Sequence, residues 1–328
     1  MQLDKCPGCL NPGHTEFCAA CQRKLFGRRK VSPILPFTKP EFTAARLNQV
    51  NRISISGVQI KHSLKLEKRT LEFTDVDGQY ILKPIPGGDL ERMEEMPANE
   101  HLTMQLAEQV FGIQTAVNAL VFFKDGEPAY LTKRFDRNDD GTRKQQEDFA
   151  QLAERSEDSH GPHYKYDASY EEIGDLMKKF IGPYAIEAEK YFKLVLFNYL
   201  VHNGDAHLKN FSLLRDPGQG IYLLSPAYDL LNTRLHLPHE SDTALDLFKD
   251  DFAMESYKAN AFYTREDFLE LGRRLGIKEQ RALGMLTSVV EGADGLEAKV
   301  RRSFLKVESQ ELYLIQVRDR VKRLSWDT

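Results

Sequence analysis

Between residues 188 and 231 the chain reads "AEKYFKLVLFNYLVHN", then "GDAHLKNFSLL", then "RDPGQGIYLLSPAYDLL". Phe192, Leu196, Tyr199 and Leu200 fall on one helical stripe, and the last two pieces form short strands about a Pro-Gly-rich turn. The helix and the hairpin are core-like, yet the loop between them carries Asp205, His207, Lys209 and Asn210. Rigid elements on both sides hold such a loop in place, as a reactive site requires. The hairpin then delivers a second carboxylate, Asp229. Any fold for this chain must serve that loop.

Upstream, "RISISGVQIKHSLKLE" has period-2 apolar positions on both sides of Gly57, which predicts two strands around a turn. "TLEFTDVDGQYILKPI" predicts a hairpin at Asp77-Gly78, and "NALVFFKDGEPAYLTKRF" another at Asp125-Gly126. Between them "PANEHLTMQLAEQVFGI" predicts a helix opening at Pro97, closing at Gly112, with Leu102, Leu106 and Val110 on one face. The stretch "DDGTRKQQEDFAQLAERSEDSHGPHYKY" has few apolar anchors and is expected to be a mobile or substrate-facing loop. The rest is helical, with Thr264 and Asp267 capping "YTREDFLELGRRLGI" and a long amphipathic closing helix in "RSFLKVESQELYLIQVRDRVKRL". A β-rich first part followed by a helical second part makes an α+β fold of two lobes.

All four cysteines, Cys6, Cys9, Cys18 and Cys21, lie at the N-terminus. Their C-x2-C-x8-C-x2-C spacing suits a tetrahedral Zn²⁺ whose role would be structural or partner-binding. A disulfide framework for the remaining chain is excluded. "RKLFGRRKVSPILPF" then reads as a basic, solvated connector. The expected division is a knuckle and linker at 1–30, a β-rich lobe at 31–137 and a helical lobe at 138–328. A formal charge of −4 gives no broad basic field, so nucleic-acid binding is expected to be weak at most. No apolar run suits a membrane span, and the N-terminus has no signal-peptide pattern, so a cytoplasmic location is expected.

Asp205 and Asn210 have the D-x-x-x-x-N spacing of a protein-kinase catalytic loop. One loop must offer a carboxylate to an attacking hydroxyl and an amide oxygen to a metal without covering either. Asn210 and Asp229 supply hard oxygen ligands for Mg²⁺. Gly57 lets backbone N–H groups approach a phosphate. Lys83, at the end of an apolar strand, is either an edge residue or a phosphate-binding lysine. Glu100, early in the next helix, is of the right kind to pair with it. The alternative for Glu100 is a helix-dipole role. Glycine turn, strand lysine, helix glutamate, D-x-x-x-x-N, hairpin and aspartate in that order point to phosphoryl transfer from ATP.

"SISGVQIKHSL", "YILKP", "NEHLTMQLAEQVFGI", "LTKRFDR", "NGDAHLKNFSLL" and "LSPAYDLL" resemble the successive motifs of the HipA toxin kinases, over roughly residues 50 to 320. The resemblance implies a two-lobed, protein-kinase-like serine/threonine kinase of a bacterial toxin–antitoxin module, with an aminoacyl-tRNA synthetase as substrate. It implies Asp205 as proton acceptor, Asn210 and Asp229 as Mg²⁺ ligands and Lys83 on the nucleotide phosphates. It further assigns Ser56, Gly57, Val58, Gln59 and Lys61 to nucleotide contact, Lys133 to Phe135 to the interlobe hinge, and His207 and Lys209 to steadying phosphates. Only about fifty residues precede the glycine turn, which resembles the short HipT branch. That branch works with a separate small protein, HipS, and a DNA-binding antitoxin, HipB. The knuckle is foreign to both branches, and Lys133 stands where the family hinge often has an acidic residue.

The resemblance also makes Ser54 and Ser56 autophosphorylation sites. A phosphate there would set close to two negative charges against the incoming ATP phosphates. The competing readings are a small-molecule kinase of the same fold and a silent zinc-knuckle adaptor. A metallohydrolase built on His202, Asp205 and His207 has no remote ligand set to complete it.

Overall fold

The computed structural model describes residues 3–47, 61–138, 142–216, 218 and 220–325. Helix α1 (Ala19–Phe26) and α2 (Lys39–Leu47) precede strands β1 (His62–Glu67), β2 (Thr70–Phe73) and β3 (Tyr80–Pro84). Helix α3 (Met96–Gln109) then leads to β4 (Asn118–Phe122) and β5 (Pro128–Lys133). These strands form one antiparallel sheet in the order β2-β1-β3-β5-β4. The second part opens with β6 (Gln146–Asp148), α4 (Phe149–Leu152) and α5 (Glu157–His160). It continues through α6 (Tyr170–Phe180), α7 (Tyr184–Leu200), β7 (Ser212–Arg215), β8 (Tyr222–Leu224) and α8 (Glu255–Asn260). Helices α9 (Arg265–Arg274), α10 (Glu279–Gly292), α11 (Leu296–Arg301) and α12 (Val307–Leu324) close the chain, and β6-β7-β8 form a small second sheet. No helix among the described residues is long and apolar enough to cross a membrane.

The β3-β5-β4 part of the larger sheet is largely buried on both faces. Tyr80, Leu82, Ala119, Val121, Ala129 and Leu131 join a core with Cys6, Phe17, Leu25 and Phe26 of the N-terminal segment. Leu120 and Tyr130 instead join the core of α3 and α7, so alternate side chains serve different cores. Lys83 lies opposite Tyr130 in the β3–β5 register, which turns it toward the α3 side. The fold thereby fixes the direction of its ammonium.

Four expectations need correction. Asp77-Gly78 does not close a hairpin, because β2 and β3 pair on opposite edges of β1 rather than with each other. Gly78 is there because a Cβ would meet the Ser63 Cβ at 2.7 Å. The basic connector is half core, with Leu25, Phe26, Val31 and Leu35 buried. The polar stretch after residue 138 is not one loop, since Phe149 and Ala150 anchor β6 and α4 in the interior. The closing helix forms, but it opens at Val307 rather than at Arg302. The Gly57 turn lies outside the described residues. The hairpin at Asp125-Gly126 forms as expected, with Gly126 at φ 94°.

The Tyr80 hydroxyl donates to the Leu25 carbonyl at 2.8 Å, joining the lysine strand to α1. Tyr80→Phe strands that buried acceptor and is expected to cost about 1–3 kcal/mol. Denaturant titration should show a lower midpoint with an unchanged slope.

Candidate functional site

Lys83 is 4% exposed and its Nζ lies 2.5 Å from Glu100 Oε1 while also pairing with Asp229 Oδ1. Asp229 Oδ2 lies 3.1 Å from Lys61 Nζ. Strand β3, helix α3 and the segment after β8 therefore meet at one buried charge. Burial disfavours the ammonium of Lys83, but the Asp229 and Glu100 carboxylates outweigh it and hold its pKa above the usual lysine range. Burial would raise Asp229, but Lys83 and Lys61 pull it well below the usual carboxylate range. Burial, with the neighbouring Asp229 carboxylate, pushes Glu100 up to about 7 despite Lys83. Asp229 sits at φ 58°, a left-handed conformation that costs a non-glycine residue about 1–3 kcal/mol. The two lysines that grip its carboxylate supply what holds it there.

Helix α7 runs into the polar loop, as the sequence predicts. Asn203 Oδ1 accepts from the Asp205 N–H at 3.3 Å, and Asn203 is itself fixed by its amide to Asn198 Oδ1 at 2.9 Å. Asn210 Oδ1 accepts from the His207 N–H at 3.1 Å, closing the 3-10 turn Leu208–Asn210. The Asp205 carboxylate is 52% exposed, so solvent reaches it. Burial lowers His207 to about 4, which makes it a neutral imidazole at pH 7 and not a cation for phosphates. Lys209 Nζ donates to the Tyr164 hydroxyl at 3.3 Å. The loop is joined to the Asp229 segment by the Tyr228 hydroxyl, which donates to the Lys209 carbonyl at 2.8 Å.

Several site-forming residues escaped the sequence reading. Asn99 Nδ2 donates to the Asn232 carbonyl at 2.8 Å, and Asn232 Nδ2 donates to Gln316 Oε1 of α12 at 2.9 Å. His202 Nε2 donates to the Gln316 carbonyl at 2.9 Å, and Thr233 Oγ1 accepts from the Gly204 N–H at 2.7 Å. Helix α3, the Asp229 segment and the Asp205 loop are thus one hydrogen-bonded network. Tyr166 was missed too; its hydroxyl donates to Asp205 Oδ1 at 2.5 Å. The only signal was position, since Asn99 adjoins Glu100 and Asn232 follows Asp229 by three residues.

Lys133 and Phe135 line a cavity of about 450 Å³ with Thr115, Val117, Leu214 and Leu224, on a lining that omits Lys83, Asp205 and Asp229. The link to the charged cluster is indirect, through the Phe135 ring 5.5 Å from Tyr228. Ser54, Ser56, Gly57, Val58 and Gln59 lie outside the described residues.

The four cysteine ligand atoms lie within 4.8 Å of one another, and the Cys9 and Cys18 sulfurs are 3.8 Å apart. A tetrahedron with Zn–S bonds of about 2.3 Å has edges near ~3.8 Å, so the donor set fits Zn²⁺. Cys6 Sγ accepts from the N–H groups of Gly8 at 3.4 Å and Cys18 at 3.2 Å, which favours a thiolate. A Cβ on Gly8 would lie 2.8 Å from the Cys21 sulfur, so only glycine leaves room for the cluster. The Cys6–Cys9 turn also grips α3. His101 Nε2 donates to the Gly8 carbonyl at 3.2 Å, and Gln109 Nε2 to the Cys9 carbonyl at 3.1 Å.

Comparison with known proteins agrees with this geometry. The family model described as "HipA-like C-terminal domain" matches residues 53–295. A "Putative kinase" of Haemophilus influenzae is 26% identical over 317 residues, covering 92% of this chain and 90% of the relative. The "Serine/threonine-protein kinase toxin HipA" of Shewanella oneidensis is 28% identical over 241 residues, covering 68% of this chain and 53% of the toxin. Among solved structures, HipA in a complex of HipA, HipB and operator DNA from Shewanella oneidensis superposes with a TM-score of 0.65 at 23% identity, covering 89% of this chain and 73% of that one. The fold is therefore the two-lobed, HipA-like one that the motifs implied.

Glu100 holds its proton more tightly in the folded chain than its ordinary value of 4.5 allows in the unfolded one. This group's stabilisation is fully present below pH 4.5 and is lost as pH rises through about 7. Glu100→Gln fixes a neutral side chain and should flatten the fall in stability across that window. Denaturant midpoints measured at several pH values check it, and equal slopes for the two proteins would count against the assignment.

Proposed function

Because the chain belongs to the HipA-like C-terminal domain family, we propose that it is an ATP-dependent serine/threonine protein kinase acting as the toxin of a toxin–antitoxin module. The single observation that carries this reading is the buried Lys83 ammonium held between Glu100 and Asp229, next to the Asp205–Asn210 loop. Lys83, kept charged by its carboxylates, would bind the nucleotide phosphates, with Lys61 beside it. Asp205 would accept the proton of the substrate hydroxyl. Asn210 and the fully ionised Asp229 present the hard oxygens that Mg²⁺ takes. Bound there, the ion would neutralise charge on the transferring phosphoryl group. Burial of Glu100 and Lys83 keeps the pair from water, so their attraction is strong.

The finer assignments are ours as well. An aminoacyl-tRNA synthetase is the proposed substrate, and a HipB-like DNA-binding protein the proposed antitoxin. What supports the latter is that the Shewanella oneidensis HipA was solved with HipB and operator DNA. A HipS-like small protein, a cytoplasmic setting, nucleotide contact by residues 56–61, a hinge at residues 133–135 and autophosphorylation at Ser54 and Ser56 complete the proposal. We further assign Cys6, Cys9, Cys18 and Cys21 to a structural Zn²⁺ that braces α3, the helix of Glu100, and we retain the division at residues 30 and 137.

Incubation of the chain with Mg²⁺, labelled ATP and bacterial lysate should place phosphate on a lysate protein. Label appearing only on a small metabolite would point to the alternative substrate class, and no turnover would remove the kinase reading. Asp205→Asn is expected to lower the transfer rate by about 10²–10⁴-fold. Lys83→Met should raise the nucleotide KM and lower kcat together, as a lost phosphate contact in both ground and transition states requires.

The purified chain should carry about one zinc per molecule, measured by elemental analysis. The double substitution Cys6→Ser/Cys21→Ser should abolish it, lower the thermal midpoint and speed hydrogen exchange along α3. A zinc-free protein with unchanged exchange in α3 would separate the metal from the brace.

A further inference from the structure

The Tyr166 hydroxyl lies where the kinase reading needs a substrate hydroxyl. It donates to Asp205 Oδ1 at 2.5 Å, on the carboxylate assigned to accept the substrate proton. Its ring packs edge-on against His207, with centroids 5.1 Å apart and planes at 72°. The turn Tyr164–Tyr166 is also held to the loop by Lys209 Nζ, 3.3 Å from the Tyr164 hydroxyl. A hydroxyl delivered to Asp205 Oδ1 from outside would have to displace this one.

The segment that carries Tyr166 packs against the core only through partly buried side chains such as Tyr164. Neither α5 nor the turn Tyr164–Tyr166 has a buried residue. The chain is anchored on either side of it, by Phe149 and Ala150 before and by Tyr170 after. The Tyr170 hydroxyl donates to the Ala206 carbonyl at 3.1 Å, which tethers the start of α6 beside Asp205. Gly161 supplies a positive φ of 75° just ahead of the turn. The segment is therefore a half-buried flap pinned at both ends and by Arg155, 3.6 Å from Asp167, with a phenol at the reactive carboxylate.

We propose that Tyr166 is a phosphoryl acceptor in cis and that its modification releases the flap from Asp205. This inference rests on the kinase reading above. In the step, the Tyr166 oxygen attacks the γ-phosphorus of ATP and its proton passes to the Asp205 carboxylate. The bond from the γ-phosphorus to the β,γ-bridging oxygen breaks, and ADP leaves with that electron pair. The phosphotyrosine carries about −1.5 to −2 charges and would stand against the Asp205 carboxylate. Lys165, whose Nζ lies 4.8 Å from the Tyr166 ring centroid, gives the phosphate a neighbouring cation. Repulsion then turns the ring off His207 and frees Asp205 Oδ1 for an external hydroxyl.

The full chain, incubated with Mg²⁺ and ATP and mapped by tandem mass spectrometry, should carry phosphate on Tyr166. The modified fraction should grow at a rate independent of protein concentration, as an intramolecular step requires. Tyr166→Phe keeps the ring and must lose that phosphate, and Asp205→Asn should reduce it by about 10²-fold or more. With casein as a generic acceptor, the wild-type chain should show a lag that Tyr166→Phe lacks. Phosphate on other residues with Tyr166 unmodified overturns this inference and leaves the kinase reading standing. Labelling that slows on dilution overturns the cis step. Phosphate on neither the chain nor any lysate protein refutes the kinase reading, and this inference falls with it.

Discussion

A lysine ammonium is buried among three structural elements, and most of the molecule is arranged to make that tolerable. Left unpaired, Lys83 would carry several kcal/mol of desolvation penalty and would shed its proton. Glu100 and Asp229 prevent this, but they bring a second difficulty, because two carboxylates then share a dry site. Lys61 relieves Asp229, and Glu100 absorbs the remainder by holding its proton more tightly. The balance is specific to position. It forces β3, α3 and the post-hairpin segment into register, because moving any one of them leaves a buried charge without its partner.

The network around this cluster explains why α3 is so thoroughly enclosed. Pro97 through Ala107 are all buried, including Asn99, Glu100, His101, Thr103 and Gln105. Each of those polar side chains has a distant partner. Asn99 reaches the segment after Asp229, His101 the cysteine turn, Thr103 the Tyr313 hydroxyl of α12, and Gln105 the Asn118 side chain of β4. Buried polar groups satisfied in this way specify one packing over others.

The order of the chemical groups could be read from the chain because each depends on local spacing. Asp205 and Asn210 share one loop, and Lys83 sits in a strand whose neighbours are apolar. The two-lobed α+β fold followed from a β-rich first part giving way to a helical second part. What could not be read depends on tertiary pairing. The Asp77-Gly78 turn has every local mark of a hairpin, yet β1 intervenes between its flanking strands and pairs with both. Helix α3 shows an apolar stripe, but the polar residues on its other faces are buried too, and no periodicity announces that. Likewise Tyr166 sits in a polar stretch with nothing local to mark it, and only the folded chain brings it to Asp205.

The grip of the cysteine turn on α3 has a mechanical consequence. A regulatory helix that swings outward needs a free end and a wet side, and this one has neither. It is clasped near its start by the asparagine latch and, through His101 and Gln109, by the N-terminal coil. It behaves as an axle seated in bearings at both ends. Control of such a machine cannot come from withdrawing the axle, so it must act on the parts that move past it.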